Sequence, residues 1–279
     1  MAHQKKSQNK KQPSLGIIGY GKMGSSLVKG AIKSGVLSAP LVKAYDMDCA
    51  KLELARKDGL STAGNLADVA CSDVILLAVK PKDVPGLLGM LKELVPSGNS
   101  LILSIAAGVR LSTIEEKLGE GTRLIRVMPN IAASVNEAAS VYVPNKWAKD
   151  SDVDFVGGLL GRIGKAFKLP DESMIDAVTG ISGSGPAYFF YMMKALETVG
   201  KRVGLPEDLV RILVAQTCRG AGTLVLESEF TQDHLMAMVA SPGGTTEEAL
   251  KVMESKDLSS IMIDAVVAAI EKAKKMSRS

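Results

Sequence analysis

With 279 residues, 46% of them hydrophobic, the chain has material for two cored domains, and its formal charge of +4 is too modest to mark a nucleic-acid-binding surface. No uninterrupted apolar run approaches the ~20 residues of a membrane span and no apolar signal-like stretch opens the chain, so a cytoplasmic protein without a membrane partner is expected. Cys49, Cys71 and Cys218 are far apart and odd in number, and His3 and His234 lack ligand spacing, which excludes a disulfide framework, a zinc site or a histidine-based triad and leaves no metal to expect.

Residues 1–13 read as a disordered basic tail, with Lys5, Lys6, Lys10 and Lys11 gathered before Pro13. Lacking aromatic residues and periodicity, the tail is a solvated arm with no nucleic-acid partner.

Leu15, Ile17 and Ile18 then form an apolar run suited to a buried parallel strand, and Gly19, Gly21 and Gly24 follow with G-x-G-x-x-G spacing. In that spacing the first glycine permits a tight turn, the second lets a pyrophosphate approach the backbone, and the third lets the next helix pack on the sheet. A helix is predicted from Lys22 to Ser34 with Gly35 as its cap. A second strand, Leu41 to Tyr45, ends in Asp46, where a carboxylate reads ribose hydroxyls.

The alternation continues with a helix from Asp48 to Lys57 closing on Gly59, a strand over Ser72 to Val79, and a helix over Lys82 to Val95 with Pro85 in its first turn. Ser100 to Ile105 is a fourth strand, Ser112 and Glu115 read as a capping box, and Arg123 to Met128 is a fifth strand. A weaker strand runs through Ala139 to Val143, and Ser151 caps a helix to about Gly161. Such alternation predicts a doubly wound parallel sheet whose ligand lies beyond the carboxyl ends of its strands. Ala78-Val79-Lys80-Pro81, Ser104 to Gly108 and Met128-Pro129-Asn130 all fall at that rim. Ala106 to Gly108 are small enough for a ring to approach the backbone, and Lys80 can donate to a ribose or carboxamide oxygen.

Beyond Asp171 only helical patterns remain, which sets a boundary near Leu169 between a dinucleotide-binding domain (14–169) and a helical domain (170–279). Ala187 to Met193 is apolar without a break, so its helix belongs inside a core or a subunit interface. Pro186 and Pro206 suit first helical positions, and Leu258 to Lys275 gives the last amphipathic helix. The loop Ser241-Pro242-Gly243-Gly244-Thr245-Thr246 precedes Glu247 and Glu248 in the first turn of a helix, where glycine N–H groups and hydroxyls suit a carboxylate ligand.

GYGKMG (19–24), AVKP (78–81), SIAAGV (104–109), MPN (128–130), AVTGISGSGPAY (177–188) and SPGGTT (241–246) together resemble the pyrroline-5-carboxylate reductase family, over nearly the whole chain. The resemblance implies a Rossmann domain followed by an all-helical dimerisation domain, and NADH- or NADPH-dependent reduction of 1-pyrroline-5-carboxylate to proline. It implies a homodimer, or a higher oligomer built of dimers. The cofactor residues are then Ile18, Gly19, Tyr20, Gly21, Lys22, Met23, Gly24, Asp46, Asn65, Ala78, Val79, Lys80, Pro81, Ile105, Ala106 and Ala107, with Asp46 favouring NADH. Glu172, Glu229, Gly243, Gly244, Thr245 and Thr246 map to substrate contacts, Thr246 also being the residue set beside the imine nitrogen.

The sequence departs from the family pattern at Ile131-Ala132, Phe230-Thr231 and Lys194, so a related cyclic imine stays open as the substrate. Two rivals are weighed beside the family. A β-hydroxyacid dehydrogenase would share the glycines Gly180, Gly183 and Gly185 but need a lysine where Phe189 stands, and a non-catalytic NAD(P)H-binding protein would have no use for SPGGTT.

Overall fold

The computed structural model describes residues 12–96 and 98–277, so the basic tail expected over 1–13 lies, except for Gln12 and Pro13, outside the described residues. β1 (Leu15–Ile18), β2 (Val42–Tyr45), β3 (Ser61–Thr62), β4 (Val74–Leu77), β5 (Leu101–Ser104), β6 (Arg123–Met128), β7 (Ala138–Pro144) and β8 (Gly164–Lys168) form one sheet in the order β3-β2-β1-β4-β5-β6-β7-β8. All neighbours are parallel except β6 and β7.

β1, β4 and β5 are buried at every position and read as nearly unbroken apolar runs because helices cover both sheet faces. On one face Leu15, Ile17, Leu76 and Leu103 pack with Leu27, Val28 and Ala31 of α1 (Lys22–Lys33) and with Leu159 and Leu160 of α6 (Asp150–Arg162). On the other, Ile18, Ile75, Leu77 and Ile102 pack with Leu88 and Leu91 of α4 (Val84–Leu94) and with Ile114 and Leu118 of α5 (Leu111–Leu118).

Local signals fail where a distant partner does the work. The predicted capping box at Ser112 and Glu115 does not form: α5 starts at Leu111, whose N–H donates to Glu172 Oε1 at 2.8 Å. Glu115 instead accepts from Trp147 Nε1 at 2.7 Å. Ser151 lies inside α6, where the Asp152 carboxylate accepts the Lys149 N–H at 2.9 Å and closes that helix start. Three elements had no predicted counterpart: β3, the edge strand β8, and the single-turn α3 (Ala67–Ala70). Pro206 stands at the N-cap, one residue earlier than expected.

The described chain divides into two units, one running to Gly183 and resuming at Ile270, the other Ser184–Ala269. The first contains the whole sheet, then α7 (Ile175–Val178) and a π-helical turn at Thr179–Gly183. The second holds α8 (Gly185–Arg202), α9 (Glu207–Glu227), α10 (Gln232–Val239), α11 (Thr245–Ser255) and the first turns of α12 (Leu258–Met276). Here α8 and α9 cross closely at Gly200, where a Cβ would stand 2.5 Å from Val210 Cγ1.

Phe189, Phe190, Tyr191 and Met192 are exposed in the single chain, so the continuous apolar stretch does not fill this unit's core. Among the described residues one helix, the 21-residue α9, is long and apolar enough by length and composition to cross a membrane. Arg211 and Arg219 interrupt it, so it holds no uninterrupted apolar run of that length.

Candidate active site

Parallel register assembles the first part of the site. Ile18 pairs with Tyr45, so the glycine turn leaving β1 and the acidic residue leaving β2 emerge side by side, and the Gly19 N–H donates to Tyr45 O at 2.8 Å. Gly19 has φ +96, and a Cβ on it would lie 2.7 Å from the Ala78 carbonyl oxygen, so both the turn and the contact with β4 demand glycine. At Gly21 a Cβ would meet nothing within 4 Å: the open side of the turn faces available space. No side chain caps α1, which leaves its first N–H groups for a ligand.

Beyond the strand ends lies a cleft of about 1070 Å³. Ile18, Gly19, Gly21, Lys22 and Met23 form its floor, Asp46 one end, and Ala78, Val79, Lys80 and Pro81 its middle. Ile105, Ala106 and Ala107 with Met128 and Pro129 close the other end. A second cavity of about 590 Å³ shares Tyr45, Asp46 and Met47 with the cleft and reaches Cys49 and Arg56. The glycine turn, the uncapped helix start and the open approach over Gly21 fit the pyrophosphate of a dinucleotide.

Asp46 is tightly held. Its Oδ2 accepts the Tyr20 N–H at 2.8 Å, its Oδ1 accepts the Asp48 N–H at 3.0 Å, and Lys51 Nζ stands 3.6 Å away. Lys51 is also 3.9 Å from Asp48, so one cation faces two carboxylates at this end of the cleft.

Three expected cofactor residues do not line the cleft. Tyr20 is 1% exposed and turns inward, its hydroxyl donating to Asp58 at 2.9 Å beside Lys29. Burial first, and then the Asp58 hydrogen bond and charge, push that hydroxyl's pKa up. Gly24 packs against the turn itself, its hypothetical Cβ 2.6 Å from Gly19 O, and Asn65 accepts the Asp68 N–H at 3.0 Å at the start of α3. Gly86, Leu87 and Met90 do line the cleft unannounced. Their i, i+4 spacing on α4 was the available signal.

In the helical unit Gly243 has φ +71, and Gly244 accommodates Ser241, whose Oγ would stand 2.5 Å from a Cβ there. Gly244 caps α11, which begins with Thr245 and Thr246. The Gly243 N–H donates to Glu247 Oε2 at 2.5 Å, and Lys251 pairs with Glu247 at 3.1 Å. These two partners, the N–H first, hold the Glu247 carboxyl below its ordinary range. The loop's geometry thus receives a carboxylate oxygen. Glu229 is exposed on the connection from α9 to α10, and in the departure beside it Thr231 caps α10 through the His234 N–H at 3.3 Å. His234 is a helix-surface residue stacked on Phe230. Glu172 lies in the sheet unit, where its Oε1 accepts from Arg126 and from the Leu111 N–H. Among the described residues no group of three or more His, Cys, Asp or Glu is placed to hold a metal ion.

Comparison with known proteins agrees with this geometry. The family model for pyrroline-5-carboxylate reductase dimerisation matches residues 172–276, and that for NADP oxidoreductase coenzyme F420-dependent matches residues 14–108. The pyrroline-5-carboxylate reductase of Methanosarcina acetivorans is 40% identical, over 95% of this chain and 98% of its own. The pyrroline-5-carboxylate reductase structure from Coxiella burnetii superposes with a TM-score of 0.86 at 32% identity, covering 96% of this chain and all of that one. The Plasmodium falciparum pyrroline carboxylate reductase with NADP bound gives 0.86 at 29% identity, over 95% and 98% of the two chains. Alike in sequence and fold along nearly its entire length, the chain belongs to the pyrroline-5-carboxylate reductase family.

Proposed function

We infer that the chain reduces 1-pyrroline-5-carboxylate to L-proline, taking hydride from a nicotinamide cofactor. One observation carries the reading: the glycine turn, Asp46 and all three rim segments line a single cleft, in a chain matched end to end by reductases of this name. When bound, the cofactor supplies a hydride to the imine carbon. The C=N electron pair passes to nitrogen, which gains a proton, and the product is a secondary amine.

A protonated imine is already electrophilic, so the residues mainly orient and hold. The turn after β1 and the start of α1 would hold the pyrophosphate, and Ile105 to Ala107 with Met128 and Pro129 the nicotinamide end. In the helical unit the Gly243 to Thr246 loop would hold the substrate carboxylate, as its N–H now holds Glu247, with Thr246 hydrogen-bonding the ring nitrogen and Glu229 nearby in the substrate set. Asp46, with only one lysine against two carboxylates, favours NADH over a cofactor bearing a 2′-phosphate. The working form is a homodimer or an oligomer of dimers, and three free thiols suit the reducing cytoplasm. No nucleic-acid or membrane partner is proposed.

The test follows NADH and NADPH oxidation with a panel of cyclic imines and 2-oxo acids. Turnover with 1-pyrroline-5-carboxylate is expected. Turnover confined to 2-oxo acids would point to the dehydrogenase chemistry that Phe189 argues against, and cofactor binding without any turnover would make the protein a sensor.

A further inference from the structure

Arg126 is 2% exposed on β6, and no step of the reaction uses it. Its guanidinium donates to Glu172 Oε1 at 2.7 Å and stands 4.0 Å from Asp176 Oδ1. The same Asp176 oxygen accepts the Ser277 hydroxyl at 2.6 Å. A single cation facing one buried and one half-buried carboxylate, Asp176 and Glu172, leaves lone pairs unanswered, and the hydroxyl answers one of them on the buried Asp176. The turn that follows α12 is thereby fixed to the sheet through Ser277, Asp176 and Arg126.

That turn also stands behind the cleft. Gly108 directly follows the rim residues Ile105 to Ala107 and has φ +76. A Cβ on it would lie 2.9 Å from Met276 Cβ and 3.0 Å from Met276 O. The end of α12 therefore sits against the backbone of the rim, with no room for a side chain between them. Two residues beyond Arg126, Met128 lines the cleft and packs its terminal methyl on Gly183, where a Cβ would be 2.3 Å away.

We propose that Ser277 is a positioning residue of the reduction: through Asp176 and Arg126 it seats Met276 against Gly108 and so sets the rim that receives the nicotinamide end. The proposal rests on reading the cleft as the cofactor site. Ribose and pyrophosphate are gripped elsewhere, at Asp46 and the glycine turn, so a loosened rim leaves that grip intact while misplacing the hydride donor.

The experiment uses full-length Ser277→Ala, which removes the hydroxyl without adding bulk, Ser277→Thr, which keeps the hydroxyl, and Ser277→Val as a second variant that matches threonine in shape but lacks the hydroxyl. Affinity is measured for ADP-ribose, which lacks nicotinamide, and for NADH, together with kcat and the isotope effect of 4-deuterated NADH. Expected for valine or alanine are ADP-ribose affinity within about twofold of the unaltered enzyme, kcat lower by roughly tenfold, and a raised isotope effect as hydride transfer becomes limiting. Threonine should restore all three. Equal weakening of ADP-ribose and NADH would show a merely structural role and overturn the proposal, as would unchanged kcat and isotope effect. Failure of ADP-ribose to bind the unaltered enzyme would instead overturn the reading of the cleft.

Discussion

Replacing Asp46 by asparagine should shift cofactor preference toward NADPH without loosening the glycine turn. The asparagine oxygen can keep the Tyr20 N–H bond of 2.8 Å, and the Asp48 N–H on the other side is open to solvent. In the native corner Lys51 is shared between the Asp46 and Asp48 carboxylates, so toward the cleft Asp46 keeps much of its negative charge. A phosphate charge ~6 Å from it is opposed by about 0.7 to 2.8 kcal/mol as the effective dielectric falls from ~80 to ~20. Asp46 is 10% exposed, but Lys51 at 43% and Asp48 at 54% are well screened, so the water-like half of that range applies. An effect near 1.4 kcal/mol is about tenfold in the ratio of kcat/KM for NADPH and NADH. Paired steady-state kinetics at saturating 1-pyrroline-5-carboxylate would measure it. In ~1 M salt, with a Debye length near 3 Å, the native preference should shrink toward that of the variant. A ratio unmoved by both substitution and salt would refute the electrostatic account.

Thr246→Ala should slow turnover roughly ten- to a hundredfold, the loss of one oriented hydrogen bond of about 1 to 3 kcal/mol, with cofactor affinity intact by fluorescence titration. An unchanged kcat would remove Thr246 from the mechanism. Phe190→Glu on α8 should dissociate the assembly in sedimentation experiments and abolish activity, and a fully active monomer would sink the dimer reading. Tyr20 titrates above its ordinary 10.0 because it is buried and bonded to Asp58, so its contribution to stability is full below that pH and is lost progressively as pH rises above it. Tyr20→Phe should flatten the alkaline limb of a denaturation series above pH ~10 while costing about 0.5 to 1.5 kcal/mol near neutrality.

What was legible in the sequence was whatever is fixed by backbone or by strand register. Leu15 to Ile18 announces a strand buried on both faces, Gly19 is demanded by its dihedral angle, and Gly21 leaves open space over the turn. The position of Asp46 beside the glycine turn could be read because parallel pairing sets the ends of β1 and β2 together. Side-chain direction was not legible. Tyr20 sits inside the glycine motif, yet its ring finds Asp58, 38 residues on. Glu172 entered only through the resemblance, and only the fold brings Arg126 to it across 46 residues and the start of α5 across 61. The same long-range bond explains why a capping box at Ser112 was superfluous. β8 was missed because edge position leaves Lys165, Phe167 and Lys168 exposed, without the buried alternation that reveals a strand.

The apolar face of the helical unit shows the sequence and the single chain pulling apart. A helix apolar all round belongs in a core, yet Phe190 is 59% and Tyr191 77% exposed, and α9 carries its own apolar surface beside them. Lipid would be one way to cover α9, but Arg219 falls near the middle of its 21 residues, where a charge in hydrocarbon costs about 2.5 to 3.5 kcal/mol even by the mildest scales. A second protein copy imposes no such cost, since a guanidinium at a subunit interface can reach a carboxylate or water at the rim. The match of residues 172–276 to the family's dimerisation model covers α8 and α9 together. A second copy of the chain is thus the covering that the apolar residues of this half and the family's dimerisation model both favour over lipid.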